Sequence, residues 1–268
     1  MPNFTTSDGV SLHYRDSGPE NGRPVVFLPG WGGSTRYFDR QFDLLSSEFR
    51  LLGLDFRGQG ASEKTAQGQR IARWAHDLNE FLASLNLHDV VLVGWSFGGT
   101  TALYHADLFG SERVAKIVLI GPGVCQLNHG EWRLGGFELA AADQLRTAIE
   151  TSFEDTVRTI VPTFFHNHLP HDTLGALIEE TLRCAPPAGA ASVFWDGVCQ
   201  DLRDTLPRVR RPVLVILGRH DSLVSPDTAS LFSVIPEGRV EIFEHSGHSP
   251  FLEEAERFSA TLSDFVKN

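Results

Sequence analysis

Apolar residues fall along this chain in short runs that alternate with stretches of helical spacing. Val10-Ser11-Leu12-His13-Tyr14-Arg15 alternates as a half-buried strand does, and Asp8-Gly9 before it predicts a tight turn from a short strand around Phe4. Pro24-Val25-Val26-Phe27-Leu28-Pro29 is apolar on both faces, the mark of a strand in a parallel sheet covered by helices on both sides. Phe38, Phe42 and Leu45 then recur on one side of a helical stretch. A strand from Arg50 to Asp55, a turn over Arg57-Gly58-Gln59-Gly60-Ala61-Ser62 and a helix from about Ile71 to Leu85 follow. Val90-Val91-Leu92-Val93 reads as another buried strand, residues from Thr100 as a helix, and Val114–Ile120 as one more strand ended by Gly121-Pro122-Gly123. Strand and helix in alternation predict a mostly parallel, doubly wound α/β sheet.

The rhythm stops between about Cys125 and Arg208. Segments around Phe137-Glu138-Leu139, Leu145–Ile149, Val157–Val161 and Leu174–Ile178 are each amphipathic, and Pro162, Pro170, Pro186, Pro187 and Pro207 punctuate them. This predicts a helical cap at residues 124–208, inserted between core segments 1–123 and 209–268. The alternation resumes with a strand at Pro212–Gly218, a helix after Ser225-Pro226, a strand at Arg239–Phe243 and a last helix after Ser249-Pro250, where serine can cap and proline fits the first turn. At 268 residues one core with an insertion is the expected organisation.

Composition narrows the partners. A formal charge of -11 disfavours nucleic acid and anionic membranes, whose binding depends on Lys and Arg neutralising phosphates. The first nine residues lack a basic region and an apolar run, so neither signal peptide nor anchor is expected, and no segment approaches the roughly 20 apolar residues of a membrane span. Cys125, Cys184 and Cys199 are odd in number and widely spaced; reduced, mostly buried thiols in a cytoplasmic protein are expected.

The candidate chemistry centres on Gly94-Trp95-Ser96-Phe97-Gly98. With 25 glycines in the chain the pattern alone is weak, and the strand before it and helix after it carry the specificity. A serine on such a turn stands exposed at a helix N-terminus, where a nucleophile would sit. It needs a base and a group orienting that base, supplied by loops at the carboxyl ends of strands. Two such loops qualify: Gly218-Arg219-His220-Asp221-Ser222, offering Asp221, and Glu244-His245-Ser246-Gly247-His248-Ser249-Pro250, offering a histidine. Asp227 is the rival acid, better read as part of a helix's first turn, and Gly121-Pro122-Gly123 offers no carboxylate after the preceding strand. His248 is preferred over His245 because a glycine frees it from the strand end. His166-Asn167-His168 with His171 lacks the spacing of a zinc site, so no metal is expected.

With these elements the chain resembles an α/β-hydrolase fold serine hydrolase over essentially its whole length. The family order of serine, acid and histidine is met by Ser96, Asp221 and His248. Leu28-Pro29-Gly30-Trp31-Gly32 is similar to the oxyanion loop, and Asp55-Phe56-Arg57-Gly58-Gln59-Gly60-Ala61-Ser62 to the Asp-x-x-Gly-x-Gly-x-Ser turn. Most relatives carry His-Gly where this chain has Pro29-Gly30; the oxyanion donors implied are the backbone N–H groups of Trp31 and Phe97, which a side-chain change need not remove. Gly-Trp-Gly with Gly-Trp-Ser-x-Gly-Gly and a four-helix-sized cap resembles the carboxylesterases that cleave pimeloyl-acyl carrier protein methyl ester. The N-terminal third resembles cofactor-free haloperoxidases and arylesterases.

The resemblance implies a serine esterase without cofactor, acting on a small-molecule ester. Trp31, Phe137, Phe164 and Trp195 are the expected substrate-binding residues, the other cap aromatics being first of all packing. Ten Asp or Glu against four Arg between Glu131 and Asp196 speak against an acidic acyl carrier protein as partner, and favour a free, apolar ester or lactone of small to medium size. Perhydrolysis by the same triad is the nearest rival. Cofactor-free dioxygenation is disfavoured by the absent acid at Gly121-Pro122-Gly123, and a ligand receptor that keeps the triad is the rival from another class.

Overall fold

In chain order the elements of the computed structural model are strands β1 (Asn3–Thr5), β2 (Ser11–Ser17) and β3 (Pro24–Leu28), helix α1 (Asp39–Leu45), β4 (Arg50–Leu54), α2 (Ile71–Ser84), β5 (Val90–Trp95), α3 (Phe97–Phe109) and β6 (Val114–Ile120). Four helices follow, α4 (Leu139–Thr151), α5 (Phe153–Ile160), α6 (His171–Cys184) and α7 (Pro187–Val198), then β7 (Val213–Gly218), β8 (Gly238–Phe243), α8 (Pro250–Glu253) and α9 (Ala255–Lys267). The structure describes residues 2–110, 112–184 and 186–268. The eight strands form one sheet in the order β1-β2-β4-β3-β5-β6-β7-β8, antiparallel where β2 meets β1 and β4 and parallel elsewhere.

The residues that are apolar on both faces occupy the centre. Every residue of β5 and β7 is buried, and β8, at the sheet edge, is only partly so. Burying each large side chain from both faces stabilises the fold by roughly 1.5–3 kcal/mol, so these strands can only sit between helix layers. On α2, Ile71, Trp74, Leu78, Phe81 and Leu82 recur at helical spacing and are all buried, and Trp74 stacks flat on Phe56 with ring centroids 4.4 Å apart. Asp77 on the same face is buried too, held by a two-pronged ion pair from the buried Arg57.

Two expected helices take other forms. The segment after Ser225 is a 3₁₀ helix, Pro226–Val234, in which the hydroxyls of Thr228, Ser230 and Ser233 each donate to the carbonyl three residues back, competing for the acceptors that α-helical bonds would use. The last helix is split at Glu254, whose backbone leaves the helical region and whose carboxylate binds His245 N and the Ser246 hydroxyl instead.

Between β6 and β7 the chain forms α4 to α7 and no strand beyond isolated bridges among the described residues. It enters and leaves this insertion side by side, Cys125 bridging Asp201 and Leu202 N donating to Val124 O at 2.8 Å. No helix of the described residues is long and apolar enough to cross a membrane. Cys125 is buried, whereas Cys199, at the C-terminal cap of α7, is exposed, against expectation. The side chain of Cys184 lies outside the described residues.

Candidate active site

At the end of β5 the backbone must reverse into α3 within one residue. Ser96 makes that turn at φ 53°, ψ -120°, a conformation that costs a non-glycine residue about 1–3 kcal/mol and persists because its surroundings hold it. They do so by close approach. A Cβ on Gly94 would lie 2.5 Å from the Gly98 carbonyl, and one on Gly98 would lie 2.1 Å from Leu28 O, so the strand, the helix start and the end of β3 touch through backbone alone. Ser96 N donates to Ile120 O, and Gly99 N and Thr100 N donate to Ser96 O.

The loop after β3 packs against the same residue, since a Cβ on Gly30 would stand 2.9 Å from Ser96 Cβ. Two anchors fix this loop. Trp31 Nε1 donates to Ala190 O of α7 at 2.9 Å, and Asp55 Oδ1 accepts Thr35 N at 2.7 Å while its Oδ2 accepts Ala61 N at 2.8 Å. The Asp-x-x-Gly-x-Gly-x-Ser turn is thus a brace between the loops after β3 and β4; burial pushes the Asp55 carboxyl up, against the pull of those amides. The N–H groups of Trp31 and Phe97, expected to hold an oxyanion, have no protein partner among the described residues.

Asp221 and His248 are brought together. His248 Nδ1 lies 2.7 Å from Asp221 Oδ2, with both side chains almost wholly buried. The other carboxylate oxygen accepts Leu223 N and Val224 N at 2.8 and 2.9 Å, and Trp95 Nε1 donates to His248 O at 2.8 Å, so both members are oriented by neighbours. Gly121, at φ +49°, faces the pair: a Cβ there would be 2.8 Å from His248 Nδ1 and 3.2 Å from Asp221 Oδ2. Ser96 and His248 share the wall of one cavity, and Ser96 Oγ is not hydrogen-bonded to the imidazole here; such bonds often tighten only with substrate present.

The rivals fall elsewhere. Asp227 is exposed in the first turn of the 3₁₀ helix, and His245 is exposed beyond β8. His220 is also exposed and stacks on His166, rings 3.6 Å apart. Cys125, His129 and Asp201 bring ligand-type atoms within 4.8 Å of one another, a grouping that no spacing in the chain announces. Its carboxylate is occupied by a two-pronged bond from Arg203, whose guanidinium also lies 3.5 Å from His129 Nε2, and burial pushes the Cys125 thiol up to about 11. A guanidinium already answers Asp201 there, and the sulfur stays protonated.

The cavity holds about 100 Å³, small beside the roughly 300–1,000 Å³ of sites for drug-sized ligands. Trp31, Phe137 and Phe164, expected to bind substrate, line it. Trp195 does not. One residue is 100° of turn on a helix, so α7 presents Phe194 and Val198 to the cavity and carries Trp195 round to the outer side, under the Arg146 guanidinium. Phe194 closes one wall with Trp31 and Phe137 through edge contacts at 6.4 and 5.6 Å, and Leu145 and Ile149 of α4 meet it from above. Gln126 and Glu253 also escaped the sequence reading. Glu253 accepts His166 N and Asn167 N from the insertion and Gly247 N beside the histidine, all at 2.7 to 2.9 Å, and so ties the two segments together.

Residues 23–255 match the sequence pattern of the α/β hydrolase fold family. Over its full length the chain is 28% identical to a non-heme haloperoxidase of Rhodococcus erythropolis, covering all of both chains. It is 29% identical to a pimeloyl-[acyl-carrier protein] methyl ester esterase of Nitrosomonas europaea, over 93% of this chain and 97% of that one. Among solved structures, an esterase from Exiguobacterium antarcticum superposes with a TM-score of 0.95 at 28% identity, covering 99% of each chain. From this match, which spans strands, elbow and histidine loop alike, the chain belongs to the α/β hydrolase fold family.

Proposed function

We propose that the protein is a serine esterase that cleaves small, largely apolar carboxylic esters through an acyl-enzyme. The observation that carries this reading is the buried His248–Asp221 pair on the same small apolar cavity as Ser96, which is held on a strained turn. In this reading Ser96 Oγ attacks the ester carbonyl and His248 Nε2 takes its proton. Asp221 holds Nδ1–H and steadies the imidazolium, and the N–H groups of Trp31 and Phe97 bind the oxyanion. The imidazolium returns its proton to the departing alcohol; a water deprotonated by His248 then cleaves the acyl-enzyme and regenerates Ser96. The step needs no cofactor.

The insertion's surplus of acids supports a free ester over one carried on an acidic carrier protein, because Arg146, Arg158 and Arg183 are already paired within it. Perhydrolysis is the second reading, favoured by the similarity to a haloperoxidase; there hydrogen peroxide replaces water as acyl acceptor and a peracid leaves. Ser96→Ala is expected to lower turnover of p-nitrophenyl butyrate about 10⁵-fold while the circular dichroism spectrum and melting temperature stay near wild type. Retention of most activity overturns the mechanism, and a single turnover without recycling in the wild type points to a receptor.

A further inference from the structure

Apart from the groups proposed for the reaction, the cavity wall is almost entirely apolar, and its side-chain donors are nearly all spent inside the protein. Trp31 Nε1 donates to Ala190 O, Trp95 Nε1 to His248 O, and the Thr163 hydroxyl to Ile160 O at 2.7 Å. Gln126 is the exception. Its Oε1 accepts Gly136 N at 3.2 Å, which identifies the oxygen end of the carboxamide, and its backbone carbonyl accepts Phe137 N at 3.0 Å. The NH₂ end, on a residue only 8% exposed, has no protein partner among the described residues. A Cβ on Gly123 would come within 3.0 Å of that nitrogen, so the amide lies close against the Gly123 backbone with its oxygen committed to Gly136 N and its two N–H groups unspent.

A donor that a ligand strips of water and leaves unpaired is costly, so a donor in an apolar cavity discriminates most against a ligand that cannot answer it. We propose that Gln126 is a specificity-determining residue that selects esters bearing a second acceptor oxygen, keto, ether or ester, on the chain that enters the cavity. The proposal rests on the esterase reading of the same site and narrows it from plain hydrocarbon esters to oxygenated ones. The small cavity places that oxygen only a few bonds from the scissile carbonyl.

The test compares p-nitrophenyl hexanoate with its oxohexanoate isomers in wild type, Gln126→Leu and Gln126→Glu. Taking the ratio to hexanoate in each protein cancels differences in intrinsic reactivity. Gln126→Leu should lower the ratio of kcat/KM for the best oxo ester to kcat/KM for hexanoate roughly tenfold. Gln126→Glu keeps an acceptor for Gly136 N and removes the donors, so it should lose the same preference even if the leucine variant folds poorly. An unchanged ratio for every isomer in both variants overturns the proposal. Affinities of the matching ketones, with a methylene in place of the ester oxygen, are measured by calorimetry on the same three proteins. They read the Gln126 preference without turnover, so a wild type that hydrolyses none of the esters overturns the esterase reading while the Gln126 proposal is still decided.

Discussion

At the level of single residues the tolerances around the candidate triad are set by backbone and hydrogen, not by bulk. A methyl group on Gly121 would press on both His248 Nδ1 and Asp221 Oδ2, from a φ of +49° that side chains rarely adopt. Gly121→Ala should therefore lower the unfolding free energy by about 1–3 kcal/mol and kcat/KM for a short ester by about 100-fold. Gly130→Ala is the control: its φ is +54°, but open space surrounds it, so urea unfolding should register strain while ester kinetics stay at wild type. Equal kinetic loss in both variants would mean that the contact with the pair is immaterial. Ser96, Asp221 and His248 were readable from the sequence because each stands a few residues beyond a strongly patterned strand. Gly121 was readable only as a missing acid, since its contact with a histidine 127 positions later depends on the fold.

At the level of elements, helix azimuth decides what the substrate meets. Phe194 and Trp195 are neighbours in sequence and equally aromatic, and only the rotation of α7 about its own axis puts the first inside the cavity and the second beside Arg146. Phe194→Leu should raise KM for a p-nitrophenyl ester roughly tenfold, and Trp195→Leu should leave it within a factor of about two. Steady-state kinetics on both variants check this, and a larger effect from Trp195 would reverse the assignment. Amphipathic spacing predicted that these helices pack somewhere, but several turns show weak or mixed faces, and nothing local states which face meets the sheet. The same holds for Glu253 on α8, whose carboxylate gathers amides from residues 166, 167 and 247, contacts that no local pattern announces.

For the whole molecule, a buried histidine ties stability to pH. His105 on α3 is 2% exposed, neither ring nitrogen has a partner among the described residues, and burial pushes its pKa down to about 4 from the ordinary 6.5. Below 6.5 the unfolded chain takes up a proton that the native ring refuses, so stability falls as pH drops from 6.5 towards 4. From pH 7 to pH 5 this single site should remove about 2 kcal/mol. His105→Leu should cancel that part of the slope, read as the difference between urea unfolding curves of the two proteins; parallel curves would refute it. The chain by itself determined the alternation of buried strands and amphipathic helices, the elbow serine, and the acid and histidine on their loops, because these depend on residues close in sequence and on a sheet that two-sided apolar strands must form. Tertiary structure alone decided which cap residues face the cavity, that Gln126 keeps an uncommitted NH₂ there and that Gly121 makes room for the His248–Asp221 pair, because each depends on how distant elements rotate and approach, a geometry that no local pattern encodes.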